Sequence, residues 1–270
     1  MIDAPPARRL LGAALRRYRE NLGLMLEDAA RVLECDRSKI SRIETGQRGI
    51  RPKELRELLT EYGVGEQEQS ALAMIAQPGR RGYWQRYGDV IPGPFRDYLA
   101  LEQAASDIFV YDPQHVPDLL QTPEYAQAAM AADPSVPAAT LAGLTLFRQQ
   151  VIGRRRARLT ALIGEAALRH GNGATGVMRD QLRALADASG RMVVQVLPSR
   201  REAPASGPAT ILRFAAAPGL GVVYLPGLGG GVCLAGQQDV ASYAKAFERL
   251  RALALTPADS ARQLREMAAG

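Results

Sequence analysis

Cysteine and histidine are scarce in this chain of 270 residues, with two of each. Cys35 and Cys233 are too few and too widely spaced for a disulfide framework or a cysteine-rich zinc site. His115 and His170 alone do not build a histidine metal centre, so no metal and no cofactor are expected. Long apolar runs are also missing: none reaches the roughly 20 residues that cross a bilayer. The opening MIDAPPARRLLGAALRRYREN is interrupted by arginines and is followed by no long apolar region, which argues against a secretory signal. Nor does a Ser-His-Asp, Cys-His or paired-carboxylate arrangement stand out, and no enzyme is expected. A cytoplasmic protein without a membrane partner is the expectation. Hydrophobic residues at 47% and charged residues at 23% belong to an ordinary folded chain.

What is present is arginine. Of 34 basic residues only Lys39, Lys53 and Lys245 are lysines, so 31 are arginines, and the formal net charge is +6. Arginine and alanine bias can follow from a GC-rich genome, so the distribution carries more weight than the total. Between Asp36 and Arg56, seven bases (Arg37, Lys39, Arg42, Arg48, Arg51, Lys53, Arg56) face three acids (Asp36, Glu44, Glu54). That excess of +4 in 21 residues points to a polyanionic partner.

Periodicity divides the chain. Leu11, Leu15, Tyr18 and Leu22 share one face of a helix over 8–21, which Gly23 ends. A second helix covers 26–33 with Ala29, Ala30 and Leu33 inward. After a break at Glu34-Cys35, Asp36 is placed to cap a third helix, 37–45, closed by Gly46. A fourth opens at Arg51-Pro52 with Leu55, Leu58 and Leu59 at core spacing. Pro78-Gly79-Arg80-Arg81-Gly82 marks a linker, giving domains at 1–77 and 98–270 joined by 78–97. Beyond it, 98–111 (YLALEQAASDIFVY) reads as a helix, 113–123 as irregular, and 124–132 and 138–153 as helices. Short apolar runs at 158–163, 192–197, 210–214 and 222–225 read as strands, with another at 232–234. Helices are expected at 177–188, 239–255 and 257–268. The fold class is therefore α+β: an all-α N-terminal bundle followed by a mixed α/β domain with a small sheet.

The second and third helices, joined by a three-residue turn, make a helix-turn-helix that lays its second helix in the DNA major groove. Ile40 and Ile43, at i and i+3, should pin that helix inward and turn Arg37, Ser38, Ser41, Arg42 and Thr45 outward. Arginine forks onto guanine O6 and N7, each good bidentate contact being worth roughly 1–3 kcal/mol of discrimination. On an arbitrary helix such arginines are a solvated face. Here the turn, the polar face and the local charge act together.

The segment LECDRSKISRIETGQRGI resembles the turn and recognition helix of the Cro/repressor (XRE-type) family, whose pattern runs Leu-Gly-Val-Ser-Arg-Ser-Thr-Ile-Ser-Arg-Ile-Glu-Arg-Gly. The resemblance implies that Asp36 takes the capping position and that Glu44 and Gly46 close the helix. It also implies that Arg37, Ser38, Ser41 and Arg42 face double-stranded DNA, with Arg48 and Arg51 on phosphates. Met25 and Leu26 depart from the Ser/Thr cap and Gln that usually open the second helix, a loss of about 1 kcal/mol of local stability and of one positioning contact. VPDLLQTPEYAQAAM, IGEAALRH, VMRDQLRAL, VVQVLP and FERLRALALTPADSARQL resemble the C-terminal domain that accompanies XRE-type regulators in actinobacteria. That domain is described as antitoxin-like because a small partner protein is often encoded beside it. Asp118 stands where the family has Gly, and Pro226 where it tends to carry an acid.

These readings converge on a homodimeric, sequence-specific transcriptional regulator whose C-terminal domain senses a small-molecule effector or a small partner protein. An antitoxin-like protein-interaction scaffold with weak or lost DNA binding, and an enzyme that recruited the C-terminal pocket, remain the alternatives. Other signals read as structural. Gly227–Gly231 lacks the Lys-Ser/Thr of a phosphate loop and reads as a hairpin loop. Arg154, Arg155, Arg156 and Arg158 read as solvated surface, Glu165 and His170 as structural, and Tyr83, Trp84 and Tyr87 as an anchor between domains.

Overall fold

The computed structural model describes residues 5–76, 87, 91–130, 138–155, 157–169, 175–188, 192–199, 207–227 and 230–270. The expected linker motif 78–82, Tyr83, Trp84, Arg156 and His170 lie outside them. Five helices come first: α1 (Pro6–Asn21), α2 (Leu26–Val32), α3 (Arg37–Glu44), α4 (Pro52–Glu61) and α5 (Glu66–Ala76). Leu10, Leu11, Leu15, Ile40, Ile43, Leu55, Leu58 and Leu59 are buried together, as their spacing requires. Leu22 does not join them. It falls at the C-cap of α1, beyond the last helical turn, and is 52% exposed.

The 98–111 segment is not one helix. α6 (Gly93–Ala104) begins within the stretch read as linker and stops short, and β1 (Asp107–Asp112) follows. β1 lies between two neighbours, so Ile108, Val110 and Tyr111 are all buried and the strand lacks the alternation that would announce it. A 3-10 turn (Asp118–Leu120), α7 (Pro123–Met130) and α8 (Ala138–Arg155) lead to β2 (Arg158–Gly164). α9 (Glu165–Arg169), unmarked by periodicity, and α10 (Thr175–Ala186) lead to β3 (Met192–Leu197). β4 (Ala209–Arg213), β5 (Gly221–Leu225) and β6 (Val232–Leu234) form a meander before α11 (Gln237–Leu253) and α12 (Pro257–Ala269).

The six strands form one mixed sheet in the order β3-β2-β1-β4-β5-β6. β1, β2 and β3 are parallel, joined by helical crossovers, and the remaining pairs are antiparallel. Along β2, Leu162 packs on one face with Phe247 and Leu250 of α11, while Ala161 and Ile163 pack on the other with Leu182 and Leu264. Both faces are covered. A third cluster runs without a break from Leu10, Leu15 and Leu72 of the helical bundle to Leu99, Leu212 and Val222 of the sheet domain. The overall architecture is α+β, a helical bundle followed by a mixed-sheet domain.

Candidate nucleic-acid interface

The outward stripe of α3 is held by two apolar anchors and one buried ion pair. Ile40 and Ile43 are 1% and 3% exposed and hold α3 against the bundle. On the opposite side Arg37, Ser38, Arg42 and Thr45 are exposed and Ser41 is half-buried. Arg48 and Arg51, in the turn before α4, are exposed as well. Among the described residues, these positions are open or half-open, so the stripe predicted from spacing stands on an exposed face.

Local charge is partly committed. Lys39 is drawn away from the stripe to Glu54 of α4, with Nζ 2.7 Å from the carboxylate. Arg37 Nη1 donates to Glu27 of α2 at 3.0 Å, an exposed contact that a phosphate or base could displace at small cost. The Glu27 carboxyl is held below its usual range chiefly by that bond. Arg42 Nε donates to the Ser38 carbonyl of its own helix, at 3.3 Å.

Glu44 is the last residue of α3, as expected, and has a second role: it is 8% exposed and accepts from Arg19 Nε and Nη2 of α1 at 2.7 and 2.8 Å. Arg19 Nη1 also donates to the Leu24 carbonyl at 2.7 Å, so one guanidinium ties together α1, the α1–α2 turn and α3. A fork of this kind fixes orientation as well as distance. The Arg19 guanidinium is raised, first by its hydrogen bonds to Glu44 and against the opposing effect of burial. Close approach needs Gly12: a Cβ there would lie 2.5 Å from the carbonyl oxygens of Ile43 and Glu44. Gly46, at φ +75°, turns the chain out of α3.

Capping follows a different route from the one the residue types imply. Asp36 stands at the N-cap of α3 but makes no side-chain capping hydrogen bond. At α2 the apolar Met25 cannot cap, yet Asp28 Oδ2 accepts from the Met25 backbone N–H at 2.7 Å and supplies half of a capping box. Asp28 at the third helical position was the available signal. Met25 itself is 66% exposed, and the groove between α1, α2 and α3 is lined by Arg16, Met25, Arg37, Ser41 and Thr45.

A second constellation lies in the sheet domain. Arg148 of α8 is 3% exposed; its Nε and Nη2 donate to Glu102 of α6 at 2.9 and 2.7 Å, and Nη1 donates to Asp118 at 2.7 Å. Burial alone would push this guanidinium down, but Glu102 and Asp118 outweigh it and hold it well above its usual range. Tyr98 Oη donates to Glu102 at 2.5 Å. These groups adjoin a cavity of about 330 Å³, and both positions that depart from the family pattern, Asp118 and Pro226, line it. Glu165 lies elsewhere, accepting from Arg169 of its own helix and from the Ser199 backbone N–H. Arg158 is paired with Asp107 at 2.5 Å. Among the described residues, no group of three or more His, Cys, Asp or Glu is arranged to hold a metal ion. No helix among them is long and apolar enough to cross a membrane.

An outward polar helix fixed behind a tight turn defines the N-terminal unit as a helix-turn-helix domain, and a family described as "Helix-turn-helix domain" matches residues 10–72. The family described as "Domain of unknown function (DUF5753)" matches residues 95–266, more than half of the chain, and the protein belongs to that family. No curated protein and no solved structure matches the chain. The helix-turn-helix domain suggests a DNA-binding regulator.

Proposed function

We propose that this protein is a sequence-specific, XRE-type transcriptional regulator that binds double-stranded DNA through α3 and the turn that follows it. The observation that carries the proposal is the stripe of exposed Arg37, Ser38, Arg42 and Thr45 with half-buried Ser41, backed by the buried Ile40 and Ile43. Arg37, Ser38, Ser41 and Arg42 reach base edges, while Arg48 and Arg51 contact phosphates. A single domain of this size buries little surface on DNA, so a homodimer reads two half-sites about 34–36 Å apart. The sheet domain senses a small molecule, in support of which stand its cavity and its continuous packing with the bundle. The protein does no chemistry in this reading, and a chromosomal partner places it in the cytoplasm.

Salt-titrated binding to its own upstream DNA, against a scrambled duplex, tests the proposal. Arg42→Ala should relax preference at one base position, losing roughly 1–3 kcal/mol of discrimination there. Arg51→Ala should weaken binding to every sequence and flatten the log–log salt slope by about one. Unchanged affinity and preference in both variants would overturn the assignment of faces. A partner-binding scaffold is the second reading, favoured by Leu22 and Met25, which are 52% and 66% exposed at the α1–α2 junction. It predicts a co-purifying small protein and no preference for upstream DNA.

A further inference from the structure

We propose that the cavity bounded by α6, α8 and the β5–β6 hairpin is a binding site for a compact organic cation, a protonated or quaternary amine. This deepens the effector-sensing half of the proposed function, yet its binding test is independent of DNA.

The cavity measures about 330 Å³, the lower end of the roughly 300–1,000 Å³ that small-molecule sites occupy. One wall is aromatic. Tyr98 and Tyr224 stack with ring centroids 3.9 Å apart, and Phe95 lies 5.7 Å from Tyr98 and 6.1 Å from Tyr224. Aromatic faces carry negative quadrupole potential and attract cations. This wall already holds one: the Arg148 guanidinium carbon sits 5.6 Å from the Phe95 centroid and 5.8 Å from that of Tyr98.

Charge balance supplies the sign of the occupant. Arg148 is matched by Glu102, whose two oxygens it occupies. Two further carboxylates, Asp118 and Asp112, line the cavity. Asp118 gives one oxygen to Arg148, and among the described residues its other is met by Gln121 Nε2 at 3.5 Å. Asp112 Oδ1 accepts from the backbone N–H groups of Gln114 and His115. Burial nonetheless pushes the Asp112 carboxyl up, and Asp118 adds to the rise. Among the described residues, His115, 60% exposed with Nδ1 3.6 Å from Asp112, is the neighbouring group that can add positive charge, and it stands outside the lining. With His115 neutral, the set of one guanidinium and three carboxylates is two charges short of balance. An anionic ligand would face Asp112 and Asp118 while three of the five Arg148 N–H groups are already committed to Glu102 and Asp118, so repulsion outweighs what the Arg148–Glu102 pair leaves to offer it. An amine enters without breaking that pair, placing its charge between Asp112 and Asp118 and its carbon skeleton on the rings.

The test is isothermal titration and thermal melting of the full chain with tetramethylammonium chloride, at ionic strength held constant with sodium chloride. tert-Butanol serves as a neutral probe of similar shape and sodium acetate as an anionic one. Tetramethylammonium should bind saturably and raise the melting midpoint, while neither control does. Asp118→Asn and Asp112→Asn should each weaken binding at least tenfold, and Glu165→Gln, outside the cavity, should leave it unchanged. Absence of saturation, equal binding of tert-butanol, preferential binding of acetate, or full affinity in both aspartate variants would each overturn the proposal. Cation binding without DNA binding would sustain this site while sinking the regulator reading.

Discussion

At the scale of single residues, the exposed stripe of α3 depends on a group buried behind it. Glu44 is buried and shared between both arms of the Arg19 fork. Removing one partner of such a pair leaves a desolvated charge behind, a loss of roughly 3–5 kcal/mol. Glu44→Ala should therefore lower the urea-unfolding free energy by about that amount, and an unchanged midpoint would show the fork to be dispensable. Ile40 and Ile43 were legible from their spacing alone, whereas the partner of Glu44 stands 25 residues away and no local pattern announces it. Cys233 offers a pH-dependent readout. Burial pushes its thiol to about 12. Since the thiolate is the reactive form, only about one part in 10⁴ would react at pH 8. In a Cys35→Ser background, alkylation should accelerate tenfold per pH unit from 7 to 11. A plateau near pH 8.5, where ordinary thiols level off, would show that Cys233 is open to water.

At the scale of elements, α1 and α3 cross closely because Gly12 has no side chain at their contact. Gly12→Ala would favour the isolated helix, but its methyl would meet two carbonyl oxygens, so packing should outweigh propensity. A net loss of roughly 1–3 kcal/mol is expected, read as a lower melting midpoint, together with weaker operator binding as α3 shifts. Increased stability would mean that the helices separate freely. β1 shows where element reading fails. DIFVYD follows a helical stretch without a glycine or proline between them, and its four apolar residues run consecutively, so this short apolar run fits either state. β2 to β5 were legible as short apolar runs, three of them enriched in β-branched residues with glycine or proline nearby.

At the scale of the molecule, the bundle and the sheet domain meet along α1. Tyr18 Oη donates to the Ala216 carbonyl at 2.9 Å, and Arg17 Nη1 donates to the Pro218 carbonyl, both in the β4–β5 connection. β5 also carries Tyr224, which lines the proposed cation cavity. Tyr18→Phe keeps the ring and deletes only the donor, so it should cost about 1 kcal/mol. Amide exchange should then quicken at Ala216 and Ala217 and along α1, with the α10–α12 side unaffected. Unaltered exchange at that junction would show that the two units do not communicate through it.

Sequence alone determined the helix-turn-helix and the outward stripe, because helical periodicity and a tight turn are local properties carried within about 20 residues. It also announced most strands of the second unit. Only the tertiary structure decided that β1 runs through the middle of the sheet, that Arg19 locks Glu44, and that Arg148 gathers Glu102, Asp118 and an aromatic wall around one cavity. Those pairings join residues tens of positions apart. Their energy comes from burial and from matching of charge, which arise only once the chain has brought distant segments together.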